Sequence, residues 1–168
     1  MSDLKVYRGS KRELYSQTRD SVAIAAILGE LGASFEQHAL NNAPDIYASQ
    51  DEIIESQREL INALMQKHAF VSLDALSVTP DYPRLEKLLA DFQSEHHHPE
   101  IEARLFLAGL GCFYLRVDDM VYALACEPGD FLSLPPQVSH WFKMDTSEPM
   151  CAVRLYSSAH GGQSIPVG

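Results

Sequence analysis

Seven of the ten residues in Glu95-His96-His97-His98-Pro99-Glu100-Ile101-Glu102-Ala103-Arg104 carry a titratable side chain. In a strand, successive side chains point to opposite faces, so His96 and His98 point the same way. Glu102 and Arg104 share that parity if the strand runs on without a bulge. One face then carries two imidazoles, a carboxylate and a guanidinium, while His97 faces away. Two histidines and a carboxylate suit a non-haem Fe(II) or related divalent ion and leave coordination positions open. A further imidazole from another strand would complete such a site. His140 is the best candidate, placed in Pro135-Pro136-Gln137-Val138-Ser139-His140-Trp141-Phe142 after the turn Glu127-Pro128-Gly129-Asp130. His38, His68 and His160 each stand alone and read as structural or solvated. The competing reading of the triple histidine is a hydrated polar loop. Spacing decides against it: His96-x-His98, three residues, Glu102, six residues, Gly109, and later Gly129, five residues, Pro135, four residues, His140.

Such a face needs a rigid support. The chain has 168 residues, 46% of them apolar and 21% charged, which suits one folded globular domain. Up to about residue 94 the apolar pattern is helical. Ile24, Ile27, Leu28 and Leu31 make a stripe within Asp20–Phe35, capped by Asp20 or Ser21 and stopped by Gly32. A second helix is expected to run from about Ile53 to His68 after the acidic pair Asp51-Glu52, and a third from about Arg84 to Phe92. From residue 95 to 156 the pattern changes to short strands: Arg104–Leu107, Cys112–Val117, Met120–Cys126, Phe131–Leu134, His140–Met144 and Cys151–Tyr156. Turn-forming residues separate them, as in an antiparallel sandwich or small barrel. Residues 157–168 form a polar, glycine-rich tail.

Thirteen Lys and Arg against 23 Asp and Glu leave a net charge of −10, which disfavours nucleic acid and anionic membrane as partners. No apolar run approaches the ~20 residues of a spanning helix, and the amino terminus lacks a basic and then apolar leader. A cytoplasmic location is expected. Cys112, Cys126 and Cys151 are odd in number, lie in apolar strands and read as buried thiols in a reducing compartment. The acidic charge and the lack of an obvious apolar strand edge favour a monomer.

The spacings around the two histidine segments resemble the two motifs of the cupin superfamily, double-stranded β-helix barrels that hold one metal in the mouth. Within it, Glu95-His96-x-His98 with Glu102-x-Arg104, Gly111-Cys112-Phe113-Tyr114-Leu115, Cys126-Glu127-Pro128-Gly129-Asp130, His140-Trp141-Phe142 and Arg154-Leu155-Tyr156 are similar to acireductone dioxygenases. Val22-Ala23-Ile24-Ala25-Ala26 through Gly32-x-x-Phe35-Glu36, and Leu76-Ser77-Val78-Thr79-Pro80, extend the likeness into the first half. The resemblance implies a jelly-roll barrel with the helices of the first half packed on one side. It implies one Fe(II) or Ni(II) per chain on His96, His98, Glu102 and His140, with Arg104 pairing with an anionic substrate. Glu95 is expected beside Arg104 in catalysis, and Phe92, Trp141, Phe142 and Arg154 beside the substrate. That substrate would be the acireductone 1,2-dihydroxy-3-keto-5-methylthiopentene of methionine salvage, cleaved with dioxygen. Fe(II) would give formate and a 2-keto acid; Ni(II) would give carbon monoxide, formate and a shorter acid. The chain departs from the family pattern at Ile101, Gln137 and Lys143 and in its tail. Two other readings fit the motifs: a cupin isomerase or dioxygenase acting on another metal-chelating acid, and a non-catalytic metal- or ligand-binding cupin.

Overall fold

The computed structural model describes residues 1–167, leaving the last residue of the tail, Gly168, outside them. In chain order the elements are β1 (Asp3–Arg8), β2 (Glu13–Thr18), α1 (Ser21–Glu30), β3 (Ser34–Gln37), α2 (Gln50–Ser56), α3 (Arg58–His68), β4 (Ser72–Val78), α4 (Leu85–Gln93), β5 (His96–His97), β6 (Glu102–Ala108), β7 (Gly111–Val117), β8 (Met120–Cys126), β9 (Asp130–Leu134), β10 (Ser139–Met144), β11 (Met150–Tyr156) and β12 (Ile165–Pro166). The strands form two antiparallel sheets, ordered β12-β5-β10-β7-β8-β1-β2 and β3-β9-β6-β11-β4. This is the expected β-barrel fold.

Burial explains the sequence patterns. Inward residues of the two sheets, among them Leu4, Val6, Phe106, Phe113, Leu115 and Leu124, fill the barrel interior. A second core lies on the other face of the five-stranded sheet, where Ile53, Ile54, Ile61 and Leu64 of α2 and α3 meet Leu105, Phe131 and Val153. Strands β9 and β11 are therefore covered on both faces, which is why Phe131–Leu134 and Cys151–Val153 are nearly continuous apolar runs rather than alternating ones. Ile24 and Leu28 of α1 belong to the interior core, and Leu85, Leu88 and Phe92 of α4 pack against it. The three cysteines are free thiols, Cys126 and Cys151 fully buried. No helix among the described residues is long and apolar enough to cross a membrane.

The first 94 residues need correction. They hold β1 to β4 as well as helices, and these strands pair directly with the second half: β1 with β8, β3 with β9 and β4 with β11. β2 escaped notice because it is an edge strand exposed along nearly its whole length, so no apolar alternation marks it. α1 ends at Glu30 just before Gly32 at φ 82°, the expected stop, and Phe35 is buried in β3. Asp20 is its cap, Oδ1 accepting from the amides of Val22 and Ala23. The expected 53–68 helix is two helices, broken at buried Gln57, whose side-chain amide donates to the Asn42 carbonyl at 2.9 Å. All six expected strands of the second half are present, each one or two residues longer at its start or at both ends, or unchanged. The tail is not simply polar coil, since β12 pairs with β5. Gly129 takes φ 96° where a Cβ would lie 2.3 Å from the His38 carbonyl oxygen, so the turn before β9 requires glycine.

Candidate metal centre

Three imidazoles meet at one end of the barrel. His96 on β5 stands directly opposite His140 on β10, their ring centroids 4.5 Å apart. His98, just beyond β5, places its ring 5.2 Å from His96 and 5.1 Å from His140. One ligand atom from each of the three lies within 4.8 Å of the others. His97 has the opposite parity, as expected, and pairs with Ile165 outside the cluster. Each ring is held by a main-chain carbonyl. His96 Nδ1 lies 2.6 Å from the Ser94 oxygen, His98 Nδ1 2.7 Å from that of Gln163 and His140 Nδ1 3.0 Å from that of Val138. A carbonyl only accepts, so Nδ1 carries the proton and each neutral ring keeps its Nε2 lone pair for an electrophile.

Glu102 reaches the cluster from the other sheet. The strand expected through residues 96–104 is broken: β5 ends at His97, the chain crosses at Pro99–Ile101, and β6 begins at Glu102. Parity across that gap was therefore no guide, although Glu102 and Arg104 do share a face within β6. The Glu102 carboxylate is 2% exposed, with Oε2 2.5 Å from His98 Nε2 and Oε1 against the Arg104 guanidinium. Yet Glu102 Oε1, Oε2 and His98 Nε2 are buried with no hydrogen-bond partner among the described residues. A carboxylate facing an imidazole lone pair at this distance repels it unless a cation or proton lies between. A divalent cation among three Nε2 atoms and one carboxylate satisfies these three orphaned atoms, so the residues fit a metal.

Electrostatics without the ion show the same tension. Burial pushes the Glu102 carboxyl up, but the Arg104 charge and the nearby His98 and His140 outweigh it and hold it at about 2. Burial carries His140 down to about 4 and also lowers His96. His98 moves the other way, since Glu102 outweighs burial there.

The cluster opens into two adjoining cavities. One is walled mainly by Leu76, Phe92, Phe106, Phe113 and Phe142, with Arg104 and Arg154 at its edge. The other is polar and includes His98, Glu102, Arg104, Arg154 and Tyr156. Phe92 and Phe142 meet edge-to-face with centroids 5.8 Å apart. Arg154 stands beside Arg104 across the β11–β6 pair and is gripped by Asp74 through two charge-assisted bonds of 2.6 and 2.5 Å.

Two expected site residues lie elsewhere. Trp141 has the opposite parity to His140 and Phe142 and faces away from the interior, stacked on Tyr114 at 5.2 Å beneath Arg116 and Arg12. Period-two alternation within β10 already excludes Trp141 and Phe142 from one wall. Glu95 is engaged outside the triad, accepting from Arg116 Nε and Ser139 Oγ at 2.8 Å each. It ties the start of β5 to its neighbours and lines neither cavity that holds Arg104. Asp74 was missed because it sits on a strand of the first half, and the Gln163 carbonyl because a main-chain acceptor has no residue signature. None of the three departures lines either cavity. Ile101 joins the outer core, Lys143 lies near the Tyr114 ring, and Gln137 takes the left-handed φ of 69° for which glycine is usual.

The family model described as ARD/ARD′ matches residues 30–164. This chain belongs to that family. It is 37% identical over 162 residues to the acireductone dioxygenase of Pseudomonas syringae pv. tomato, covering 96% of this chain and 90% of the relative. It is 38% identical over 161 residues to that of Methylococcus capsulatus, covering 96% and 87%. A solved acireductone dioxygenase from Bacillus anthracis, with a cadmium ion in its active centre, shares the fold at a TM-score of 0.83, with 23% identity and 98% of both chains covered. Family membership makes this ARD/ARD′ chain a metal-dependent dioxygenase, and the triad of imidazoles is its metal-binding cluster.

Proposed function

We propose that the chain cleaves the acireductone 1,2-dihydroxy-3-keto-5-methylthiopentene with dioxygen in methionine salvage, as a cytoplasmic, monomeric, single-domain enzyme. His96, His98, Glu102 and His140 hold one Fe(II) or Ni(II). The carrying observation is that three imidazoles converge, with His98 Nε2 and both Glu102 oxygens buried without partners, while every Nδ1 is bonded. A bound ion supplies Lewis acidity and open positions for a substrate with two adjacent oxygens.

The protein's own groups do the rest. Arg104, at the junction of both cavities, favours the enediolate over the neutral enediol, because its guanidinium offers a charged, two-pronged contact. Arg154, clamped by Asp74, adds a second positive group on the same wall. Phe92, Phe106, Phe113 and Phe142 take the apolar methylthioalkyl end and keep water from the reacting carbons. Carboxylate and guanidinium neutralise each other around the cluster, so an anionic substrate enters without a net repulsive charge. Fe(II) gives formate and the 2-keto acid precursor of methionine, and Ni(II) gives carbon monoxide, formate and a shorter carboxylic acid.

Dioxygen uptake by Fe(II)- and Ni(II)-loaded protein given fresh acireductone, with products identified in the same samples, tests this reading. Rapid turnover with the two product sets supports it. No uptake by protein holding one metal per chain overturns the substrate assignment.

A further inference from the structure

The polar cavity contains a side chain whose polar atom nothing in the protein engages. Tyr156 ends β11 directly opposite Glu102, two residues beyond Arg154, which stands opposite Arg104. Alternation puts Tyr156 and Arg154 on the face shared by Glu102 and Arg104. All four line the polar cavity together with His98. Tyr156 is only 5% exposed, and no hydrogen bond joins its hydroxyl to another described residue, which leaves the donor open to the cavity.

The tail fixes the ring. A Cβ at Gly161 would fall 2.1 Å from Tyr156 Cγ, so only glycine lets the chain close this tightly over the ring. The position of a Cβ on Gly162 lies 3.4 Å from the hydroxyl, which places that oxygen beside another residue of the same cavity wall. Burial raises the phenol's pKa over the opposing pull of Arg104 and Arg154, so it stays protonated at neutral pH. Of its cavity neighbours, Arg104 and Arg154 can only donate, and the two Glu102 oxygens face Arg104 and His98, where the proposed metal would engage them.

We infer that the Tyr156 hydroxyl donates a hydrogen bond to an oxygen of the bound enediolate, making Tyr156 a substrate-orienting residue. The inference rests on the acireductone reading for its ligand but concerns a residue which that reading does not use. Tyr156 adds a third donor beside Arg104 and Arg154, matched to an oxygen-rich anionic head. The competing role is simple packing of the ring under Gly161, which phenylalanine would perform equally well.

Tyr156→Phe separates the two, since it keeps the ring and removes the donor. The measurements are metal content, Tm, anaerobic titration of the Ni(II)-loaded protein with acireductone, and dioxygen uptake with Fe(II). The expected result is unchanged metal content and Tm, with acireductone affinity and kcat/KM lower by about 10- to 100-fold, the loss for a hydrogen bond to a charged acceptor. Affinity and kcat/KM within twofold of the parent protein would overturn the role, while normal turnover by that parent would leave the acireductone reading intact. Tight binding that weakens in the variant, without dioxygen uptake by either protein, would support Tyr156 and overturn the dioxygenase substrate assignment. Failure of the parent to bind acireductone would overturn both.

Discussion

Among the described residues, two regions bring histidines to a glutamate, and one of them gathers three imidazoles as a metal site would. At the barrel mouth, His96, His98 and His140 surround a space beside Glu102, and three of the facing atoms have no hydrogen-bond partner. On β3 and the end of α3, Glu36 takes His68 Nε2 at 2.7 Å and Lys67 Nζ at 2.8 Å, with His38 Nε2 at 3.3 Å. Residue types are alike and each carboxylate has a protein cation beside it, but both Glu36 oxygens are hydrogen-bonded, to Lys67 and His68, whereas neither Glu102 oxygen is, and the tilted His68 ring packs 4.9 Å from Phe131 in the outer core. Burial would raise Glu36, yet Lys67 and His68 lower it, so it stays a satisfied anion. An unsatisfied atom alone does not mark a metal site, since His38 Nε2 is also buried without a hydrogen-bond partner; the barrel mouth differs in bringing three imidazole ligand atoms within 4.8 Å of one another.

The largest effect should come from exchanging alanine between the two regions. His96→Ala or His140→Ala is expected to abolish stoichiometric metal binding, whereas His68→Ala and His97→Ala retain one ion per chain by elemental analysis. Equal losses in all four would erase the distinction. Acid should come next. His140 has a folded pKa of about 4, below its unfolded value of about 6.5, so the fold favours its neutral form. That stability is full above about pH 6.5 and is lost as pH falls through 4, roughly 3 kcal/mol in the metal-free protein. Glu102, held at about 2, adds a further loss below about pH 4. Thermal melts of metal-free protein across this range should show the decline, and His140→Phe should remove its upper part. Gln137→Gly should raise stability by about 1 kcal/mol by relieving the left-handed backbone at φ 69°, seen as a Tm increase of about 2–4 °C. Metal content should not change, because the bond from the Gln137 amide to the His98 carbonyl survives. Smallest is Glu36→Gln, which should cost less than about 1 kcal/mol in denaturant melts and leave metal content untouched, as befits a partly exposed ion-pair group.

Legibility in the sequence differed along the chain for physical reasons. His96, His98 and His140 were readable because ligands must sit on fixed spacings around tight turns. Glu102 was readable only as part of that spacing, since the parity argument assumed a strand that Pro99 and its neighbours interrupt. Strands covered on one or both faces carry apolar patterns, so β6 to β11 stood out, whereas exposed β2 and the short β3 did not. Glu95 looked catalytic, and Trp141 looked substrate-facing, by adjacency alone. Their side chains are instead committed to Tyr114, Arg116 and Ser139, which neighbour them only across strands. Asp74 illustrates the same limit, because its partner Arg154 is eighty positions away.

The three groups that orient the imidazoles are peptide carbonyls of Ser94, Val138 and Gln163. No point substitution deletes a peptide carbonyl, so these positions are free to drift in side-chain identity while the tautomers stay set. The site is thus insured against most single mutations around it and vulnerable to insertions, deletions or prolines that redirect the chain, above all in the segment carrying Gln163.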